Sequence, residues 1–294
     1  HNRVILVNRK GQVQSVFGDG CAGHRDGDAG ETRFNRPHGL AFHDGALWVA
    51  DTGGHLIRRI ALGDDTTTTV AGNGQRAYVR SGSFAPLKAT LNSPWDLAWY
   101  GGMLYISMAG NHQIWRLDPK AGQIGPWAGT GAEGLRDGPI DVATFAQPSG
   151  MVVHDNVLYE TDPESSSLRA INLAAGDKAQ VKTLVGQALF QFGLKNGPAD
   201  DALLQHDEAV AWAGGNLYIA DTFNNALRRL DLKTQTVSTV AKLDRPLALA
   251  TLGKQQLLVA SGNGIRVVDL TTGSTSAWPV HKLTAPPASI CHKP

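Results

Sequence analysis

The segment RPHGLAFHDGALWVADTGGHLIRRIAL, residues 36–62, decides the fold, because its pattern returns four more times along the chain. The further repeats begin at Ser93, Gln147, His206 and Arg245. The equivalent leucines of the five units are Leu47, Leu104, Leu158, Leu217 and Leu257, and the shortest spacing, between the last two, is 40 residues. A period of about 40–45 residues is typical of a propeller blade made of four strands. We therefore expect a repeat protein in which each unit forms one blade.

Each unit contains four short runs of β-branched and aromatic residues separated by turn residues, which predicts a four-stranded antiparallel meander. In the first repeat, which begins at Arg36, these runs are 39–42, 47–50, 56–62 and 67–71, and we name them strands a to d. The predicted fold class is all-β, a six-bladed β-propeller of four-stranded antiparallel blades whose first blade is cut at the N-terminus. Full blades are expected at residues 35–72, 92–129, 145–186, 204–241 and 243–280.

The N-terminal residues match only part of a unit. Residues 1–18 supply strands c and d of a partial blade, so that one propeller domain covers residues 1–280 and residues 281–294 form a C-terminal tail. The tail contains Pro286-Pro287 and suits strands poorly, because proline cannot donate to a sheet ladder. We therefore expect the natural gene product to continue upstream of His1.

The composition excludes several classes of protein. The chain has 294 residues, 27 Lys+Arg against 26 Asp+Glu, a formal net charge of +1 and only 2 Cys. Near-neutral charge gives no general signal for a nucleic-acid or anionic-membrane partner, and no apolar run reaches the roughly 18 residues of a membrane helix. We expect a soluble, monomeric protein, and the compartment, cytoplasm or periplasm, stays open.

The recurring motifs P-x-G-L/M, L-Y/W-V/I-A-D-T and T-x-x-V-A-G resemble NHL repeats through essentially the whole chain. More narrowly, the stretches NRVILVNRKGQV, FNRPHGLAF, ADTGGHLIRRI, SPWDLAW with SMAGNHQIW, and FAQPSG are similar to the propeller of the thioredoxin-like NHL-repeat-containing proteins. This resemblance implies an NHL-type propeller that a thioredoxin-like domain precedes in the same gene product. The chain has no C-x-x-C, so redox chemistry of the family does not carry over to these residues.

Residue types that recur from blade to blade are expected to maintain the blade. Asp51, Asp162 and Asp221 end strand b, where aspartate bonds nearby backbone N–H groups in turns. His55 and His112 share the motif G/N-H-x-I and are expected to pack a turn. Arginine recurs on strand c, where we expect its aliphatic stem to cover sheet edges. Glu160 replaces an aliphatic residue of strand b, and we expect it to pair with an arginine of a neighbouring blade.

Residues that differ between blades at one equivalent position are candidates for contact with a ligand. After the proline of strand a the blades present five different residues, which are His38, Trp95, Ser149, Asp207 and Leu247. Strand a lines the central channel of a propeller, and the linkers between blades lie at the same end as these residues. The predicted ligand- or partner-binding face consists of His38, Trp95, Ser149, Asp207, Glu208, Arg25 and Arg136.

Two other functions stay open at this point. A metal-dependent propeller enzyme, a lyase or hydrolase as in the peptidyl-hydroxyglycine lyase domain, would need several histidines to meet on one ion, and the chain has no tight ligand spacing such as H-x-H. An RNA-binding propeller could use the linker motifs Arg25-Asp26-Gly27 and Arg136-Asp137-Gly138, although the paired aspartates oppose that reading. We predict no catalytic residue, no bound metal and no cofactor, with a channel-bound cation left open.

The two cysteines are far apart in sequence, but the first and last blades of a propeller lie side by side. We therefore include a disulfide between Cys21 and Cys291 among the predictions, with two free thiols as the alternative. The function predicted from these observations is a non-catalytic scaffold for protein or peptide binding. A partner implied by the resemblance is an upstream thioredoxin-like domain of the same gene product.

Overall fold

A computed structural model describes residues 2–285 and residue 291, and it is an all-β propeller. The described residues fall into two compact units. The first holds the described residues up to Asn111, Trp115–Pro126 and the described residues from Pro279 onward. The second holds His112–Ile114 and Trp127–Trp278. None of the helices among the described residues is long and apolar enough to cross a membrane.

The first unit begins with a two-stranded antiparallel sheet and continues with blade 1. The small sheet pairs β1 (Val4–Val7) with β2 (Val13–Phe17). Blade 1 has the strand order β3-β7-β6-β5-β4. Its strands are β3 (Gly27–Asp28), β4 (Pro37–His43), β5 (Ala46–Asp51), β6 (Leu56–Ala61) and β7 (Thr66–Ala71).

Blade 2 has the order β11-β10-β9-β8, and its last two strands contain residues of both units. Its strands are β8 (Pro94–Tyr100), β9 (Met103–Met108), β10 (Gln113–Asp118) and β11 (Gln123–Ala128). Short 3-10 turns follow strand b in blades 1 to 3, at Thr52–Gly54, Ala109–Asn111 and Pro163–Ser165, and two others lie at Pro86–Lys88 and Leu173–Lys178.

The second unit contains three blades. Blade 3 consists of β12 (Gly138–Pro139), β13 (Met151–His154), β14 (Val157–Asp162), β15 (Ser167–Asn172) and β16 (Gln180–Val185). Blade 4 consists of β17 (Gly197–Pro198), β18 (Asp207–Ala213), β19 (Asn216–Asp221), β20 (Ala226–Asp231) and β21 (Thr236–Lys242). Blade 5 consists of β22 (Pro246–Thr251), β23 (Gln256–Ser261), β24 (Gly264–Asp269) and β25 (Thr275–Ala277).

The expectation of six blades was wrong, because the described residues form five complete blades. The β1–β2 sheet has two strands, which correspond to the strands c and d predicted there, and no further described strand pairs with β1. The strands a to d of every complete blade run antiparallel in sequence order, as the meander pattern predicts. The domain boundaries given above stay predictions.

The core lies between the sheets, and strand b has both faces buried in blades 2, 3 and 4. In the second unit, one cluster joins Tyr159 and Leu168 of blade 3 to Val210, Leu217 and Ile219 of blade 4. Burial on both faces explains why strand b does not alternate between apolar and polar residues in those three blades, whereas strand a is largely exposed in blades 1 and 5. The close approach needs glycine at Gly150, where an added Cβ would lie 2.5 Å from the Cα of Ala209.

Candidate functional site

The recurring aspartates and arginines form one buried ion pair in each of three blades. Each Asp ends strand b, and the Arg lies seven residues further on, in strand c. The pairs are Arg58 Nη1 with Asp51 at 3.2 Å, Arg169 Nη1 with Asp162 at 3.6 Å, and Arg228 Nη1 with Asp221 at 2.6 Å, and all six side chains are fully buried. The expectation that these arginines cover sheet edges with their stems is therefore wrong for these three blades.

Each buried arginine also holds the linker that enters its blade. Arg58 donates to the carbonyls of Arg25 and Arg33 and to Asp26 Oδ1. Blades 3 and 4 repeat the arrangement: Arg169 bonds Arg136 O, Thr144 O and Asp137, and Arg228 bonds Lys195 O, Leu203 O and Asn196. The Arg/Lys-Asp/Asn-Gly motif therefore presents its backbone carbonyl and its Asp or Asn side chain to a buried cation.

The buried aspartates bind the backbone of the same linkers. Asn35 N donates to Asp51 Oδ1 at 2.6 Å, Ala146 N to Asp162 and Gln205 N to Asp221, both at 2.8 Å. Burial raises the pKa of Asp51 to about 6, although the Asn35 N–H and the charge of Arg58 favour the ionised form. Burial likewise raises the pKa of Asp162 to about 7 against the charge of Arg169. These carboxylates anchor structure, and their protons are held more tightly than in water.

His55 and His112 occupy the corner that follows strand b, and both have a positive φ. His55 Nδ1 accepts from Ser93 N at 3.1 Å, and His112 Nδ1 accepts from Gln147 N at 3.2 Å. The acceptors at the same corner in blades 3 and 4 are Ser166 Oγ, for His206 N, and Asn225 Oδ1, for Arg245 N. Burial, followed by the charges of Arg76 and Arg36, lowers the pKa of His55. The two histidines therefore tie each corner to the start of the next blade.

The structure brings together some members of the predicted binding face. In the first unit the rings of His38 and Trp95 lie 4.1 Å apart. In the second unit Glu208 contacts a residue outside that face, His206, whose Nε2 lies 3.2 Å from Glu208 Oε1. Arg25 and Arg136 are exposed on their linkers, and the Arg25 side chain donates to Glu31 O and lies 3.5 Å from Asp19.

Two members of that face are buried, which corrects the prediction for them. Ser149 and Asp207 have almost no exposed surface, so neither side chain is available to a partner. The register places Asp207 opposite Asp221, as Pro37 is opposite Asp51. Asp207 therefore takes the proline position of strand a, and Glu208, not Asp207, is the counterpart of His38.

Asp207 and Glu160 are buried carboxyl groups without a hydrogen-bond partner in the described part of the chain. Burial raises the pKa of Asp207 well above its ordinary value, and the charge of Asp221 adds to the shift. Burial also raises the pKa of Glu160, and the charge of Asp162 raises it further. The charge of Arg169 lowers this pKa, and the N–H of Ser149 lowers it to a smaller extent. That N–H donates its hydrogen bond to Thr161 O. The predicted pairing of Glu160 with an arginine of another blade is wrong, since Arg169 lies opposite it within blade 3.

Cys21 and Cys291 are joined by a disulfide, with their Cα atoms 5.2 Å apart. Cys21 lies in the linker that enters blade 1, and both cysteines belong to the first unit. Within the described residues, no group of three or more His, Cys, Asp or Glu side chains is placed to hold a metal ion. The absence of a cofactor stays a prediction.

The linker that enters blade 4 differs from its counterparts in exposing large apolar side chains. The glycines whose N–H groups bond Phe34 O, Phe145 O and Leu204 O mark equivalent points, and they are Gly23, Gly134 and Gly193. This linker reads GQALFQFGLKNG, two residues longer before that glycine than GDGCAGHRDG and GTGAEGLRDG. Phe190 is 86% exposed, Phe192 53% and Leu194 51%. We call residues 189–194 the apolar linker.

A cleft of about 450 Å³ lies beside the corner of blade 4, lined by Gln205, Thr222, Phe223, Asn225, Asp244 and Arg245. Phe223 is 52% exposed and stacks on His206 with ring centroids 4.2 Å apart. Asn224 Nδ2 donates to Gly193 O at 2.8 Å, which fixes this corner to the apolar linker. The hydrogen bond to Glu208 raises the pKa of His206 and outweighs the effect of burial. Aromatic side chains and a cleft thus meet at one end of blade 4.

Comparison with known proteins agrees with the repeat and the blades described above. The family model described as NHL repeat matches residues 34–60, which include strands β4 and β5 and most of β6. The chain is an NHL-repeat propeller. It is 33% identical to NHL repeat-containing protein 2 of Bos taurus, over 96% of this chain and 45% of that protein. It is 34% identical to Protein SUPPRESSOR OF QUENCHING 1, chloroplastic, of Arabidopsis thaliana, over 90% of this chain and 28% of that protein.

This NHL-repeat propeller spans less than half the length of these relatives. Among solved structures, it resembles a chain of the nidogen/laminin complex with a TM-score of 0.62 and 16% identity, over 83% of this chain and 80% of that chain. It also resembles streptogramin B lyase with a TM-score of 0.53 and 13% identity, over 84% of this chain and 69% of that chain. At such low identity these likenesses show the fold alone.

Two features of the NHL-repeat propeller, the buried Asp–Arg pairs and the apolar linker, were not predicted from the sequence. The Asp–Arg pairs were hidden because each residue type was considered separately, whereas the constant spacing of seven residues and the Asp or Asn of the linker together signal a three-part contact. The signal for the apolar linker in the sequence is its two extra residues and its two phenylalanines.

Proposed function

We propose that this NHL-repeat propeller is a non-catalytic scaffold that binds a protein or peptide through the apolar linker and the neighbouring corner of blade 4. The observation that carries the proposal is the exposure of Phe190, Phe192 and Leu194 within five residues. Clustered exposed apolar side chains are unfavourable in water and mark interaction sites in soluble proteins. Aromatic residues also dominate the energetics of protein interfaces.

Comparison within the chain supports a binding role for the apolar linker rather than a structural one. The linkers entering blades 1 and 3 make the same bonds to their buried arginines with Ala22 and Glu133 where blade 4 has Phe192. The blade contact therefore needs neither the extra length nor the phenylalanines. These side chains are also exposed, so their burial against a partner would remove apolar surface from water and favour binding.

The cleft beside Phe223 gives this surface a site for an anchoring side chain. Its volume of about 450 Å³ lies within the range of roughly 300–1,000 Å³ in which proteins bind small ligands and anchoring groups. Asp244 and Arg245 at its rim supply a charge of each sign. The preferred partner segment is one that places an apolar side chain in the cleft and further apolar side chains against the apolar linker.

The partner implied by the resemblance is a thioredoxin-like domain of the same gene product. The length of the curated relatives outside the matched region leaves ample room for such a domain. We retain it as the proposed intramolecular partner, and the peptide screen described next would show whether its surface has the required apolar segment.

The test is a screen of a random peptide library on phage against the purified chain, followed by affinity measurements on the selected peptides. We expect sequences with apolar anchors to be enriched and to bind at least tenfold more weakly to the double variant Phe190→Ser/Phe192→Ser. Leu87→Ser is the matched control, because Leu87 is an exposed leucine of the first unit. Failure to enrich any peptide, or equal binding to the double variant, would show that the apolar linker is not the binding surface.

A further inference from the structure

The outer edge of blade 5 lacks the cover that the linker gives to blades 1, 3 and 4. In blades 1, 3 and 4 a two-residue strand of the linker pairs with strand d: β3 with β7, β12 with β16 and β17 with β21. Blade 5 follows a connection of three residues, 243–245, and its sheet ends at β25. All three residues of β25 are exposed.

The backbone groups at this edge point outward. Asp269 N bonds Ser274 O and Trp278 N bonds Ile265 O, so these residues, together with Ser276, face β24. Because N–H and C=O groups alternate in direction along an antiparallel strand, those of Thr275 and Ala277 face away from the blade. Within the described residues, β25 pairs with β24 alone, and these outward groups bond no other backbone group. An open edge of this kind can pair with another strand.

Arg266 stands at this edge in the position of the three buried arginines. It lies opposite Val259 and Ala277, as Arg228 lies opposite Ile219 and Thr239. Unlike Arg228 it is exposed, and no hydrogen bond or ion pair to it is found among the described residues. Blade 5 also has Ser261 at the end of strand b, where the other three blades have the aspartate that pairs with the arginine.

The other blades show what occupies this position. The segment beside the arginine is Arg25-Asp26-Gly27, Arg136-Asp137-Gly138 or Lys195-Asn196-Gly197. Its acidic or amide side chain accepts from the arginine, and its glycine pairs with strand d, as Gly197 pairs with Val237. All three glycines have φ between 130° and 138°, a conformation that L side chains rarely adopt. The cover therefore requires an Asp-Gly or Asn-Gly pair.

We propose that the open edge of β25, with Arg266, binds an extended Asp-Gly segment of a partner protein. The glycine would pair with Thr275, which corresponds to Val237 of blade 4. The aspartate would accept from Arg266, with a carboxylate favoured over an amide because Arg266 has no aspartate of its own blade to balance its charge. This surface uses none of the residues of the apolar linker, so the two binding proposals stand or fall separately.

The probe is a fluorescein-labelled peptide with the chain's own linker sequence, residues 133–141, EGLRDGPID. Fluorescence anisotropy against the purified chain should show saturable binding, and Arg266→Gln should weaken it at least tenfold. Lys254→Gln is the matched control, since it removes the same charge from another exposed position of blade 5. In the peptide, Asp137→Ala and Gly138→Ala should each weaken binding at least tenfold, because the first removes the acceptor and the second the required φ.

Thr275→Pro tests the edge itself, because it removes an outward N–H without a bond to β24. It should abolish peptide binding, and the thermal unfolding midpoint of the variant checks that it folds. The double variant Phe190→Ser/Phe192→Ser should bind the peptide normally. The proposal is overturned if millimolar peptide does not bind, if Arg266→Gln or either peptide substitution has no effect, or if the chain forms a dimer that only Thr275→Pro dissociates. That last result would assign the edge to a second copy.

Discussion

Blade 2 and blade 4 differ in the two buried residues that lie at the end of strand b and on strand c, beside the entering linker. In blade 4, Asp221 accepts from the linker backbone at Gln205 N and pairs with Arg228. At the same two positions blade 2 has Met108 and Trp115, both fully buried, and the linker amide of Asn92 lies 3.3 Å from the Met108 sulfur. The blade architecture therefore does not require a buried ion pair.

The difference follows from how each linker is held. Arg228 donates to the carbonyls of Lys195 and Leu203. Each of these carbonyls also accepts the backbone N–H of the other residue, so the arginine adds a second, charged donor to the linker. The linker of blade 2 is held instead by two backbone hydrogen bonds between Phe84 and Ile124 and by Asn111 Nδ2 on Val79 O. The arginine thus binds the linker of blade 4 through charged hydrogen bonds, and the aspartate balances the charge of that arginine.

The largest effect is expected from Arg228→Met, which replaces the buried cation of blade 4 with an apolar side chain. The substitution leaves Asp221 buried without its cation and removes the arginine hydrogen bonds to Lys195 O, Leu203 O and Asn196. Breaking one partner of a buried pair typically costs about 3–5 kcal/mol. We expect a loss of that size in the free energy of unfolding, measured by urea denaturation.

Arg229→Met is the control for this prediction, since Arg229 lies on the same strand but is partly exposed. We expect it to change stability by less than about 1 kcal/mol, as is usual for a surface position. Equal losses in the two variants would mean that the ion pair of blade 4 contributes nothing beyond packing. The blades would then differ in composition only.

A pH titration compares the buried-acid blades with the rest of the chain. Burial raises the pKa of Asp162 to about 7 and that of Asp51 to about 6, whereas an unfolded aspartate titrates near 3.9. The folded state therefore holds extra protons above pH 4, and this stabilisation is lost as the pH rises through about 6–7. We expect the free energy of unfolding to be lower by about 2–4 kcal/mol at pH 7.5 than at pH 5.

Urea denaturation at pH 5, 6, 7 and 7.5 measures this trend. The surface aspartates Asp64, Asp231 and Asp269 have pKa values lowered by hydrogen bonds and titrate below this range, so they do not mask it. The raised pKa of His206 works in the same direction, because its protonation also stabilises the folded state. A stability that is constant or rises between pH 5 and pH 7.5 would show that the buried carboxyl groups are ionised and fully compensated.

The fold was readable from sequence because a blade is specified by local periodicity and turns. The leucines of strand b recur at a fixed offset from the turn before them, as with Asp44-Gly45, Gly101-Gly102 and Gly214-Gly215. Tertiary packing therefore repeats what each repeat encodes. The blade count was not readable in the same way, since β1 and β2 match two strands of a unit without showing what pairs with them.

The site was harder to predict, because exposure depends on register and on which neighbour covers a strand. Asp207 looked exposed when it was aligned with His38, but the ladder places it at the buried proline position, opposite Asp221. The shared role of Asp162, Arg169 and Asp137 joins residues up to 32 apart in sequence, which no local pattern displays. Such contacts can be recognised only when the strand pairing of the blades is known.

We expect the smallest effect from Glu160→Ile. This substitution compares an apolar with a polar side chain at one buried position. Glu160 lies where blades 2 and 4 have Ile106 and Ile219, both fully buried. Removing a buried carboxyl that lacks a hydrogen-bond partner should stabilise the chain by about 1–3 kcal/mol at pH 7.5. The gain, measured by urea denaturation, should shrink at pH 5, because burial raises the pKa of Glu160 and lower pH favours its neutral form.

Glu160→Gln separates charge from shape in that comparison, because glutamine removes the ionisable group and keeps the polar end. If charge alone opposes folding, glutamine and isoleucine will stabilise the chain equally at pH 7.5. If burial of any polar group matters, isoleucine will exceed glutamine at both pH values. A loss of stability in both variants would mean that the Glu160 carboxyl makes a favourable interaction in the folded protein, so that blade 3 departs from blades 2 and 4 for a reason other than tolerance of a buried acid.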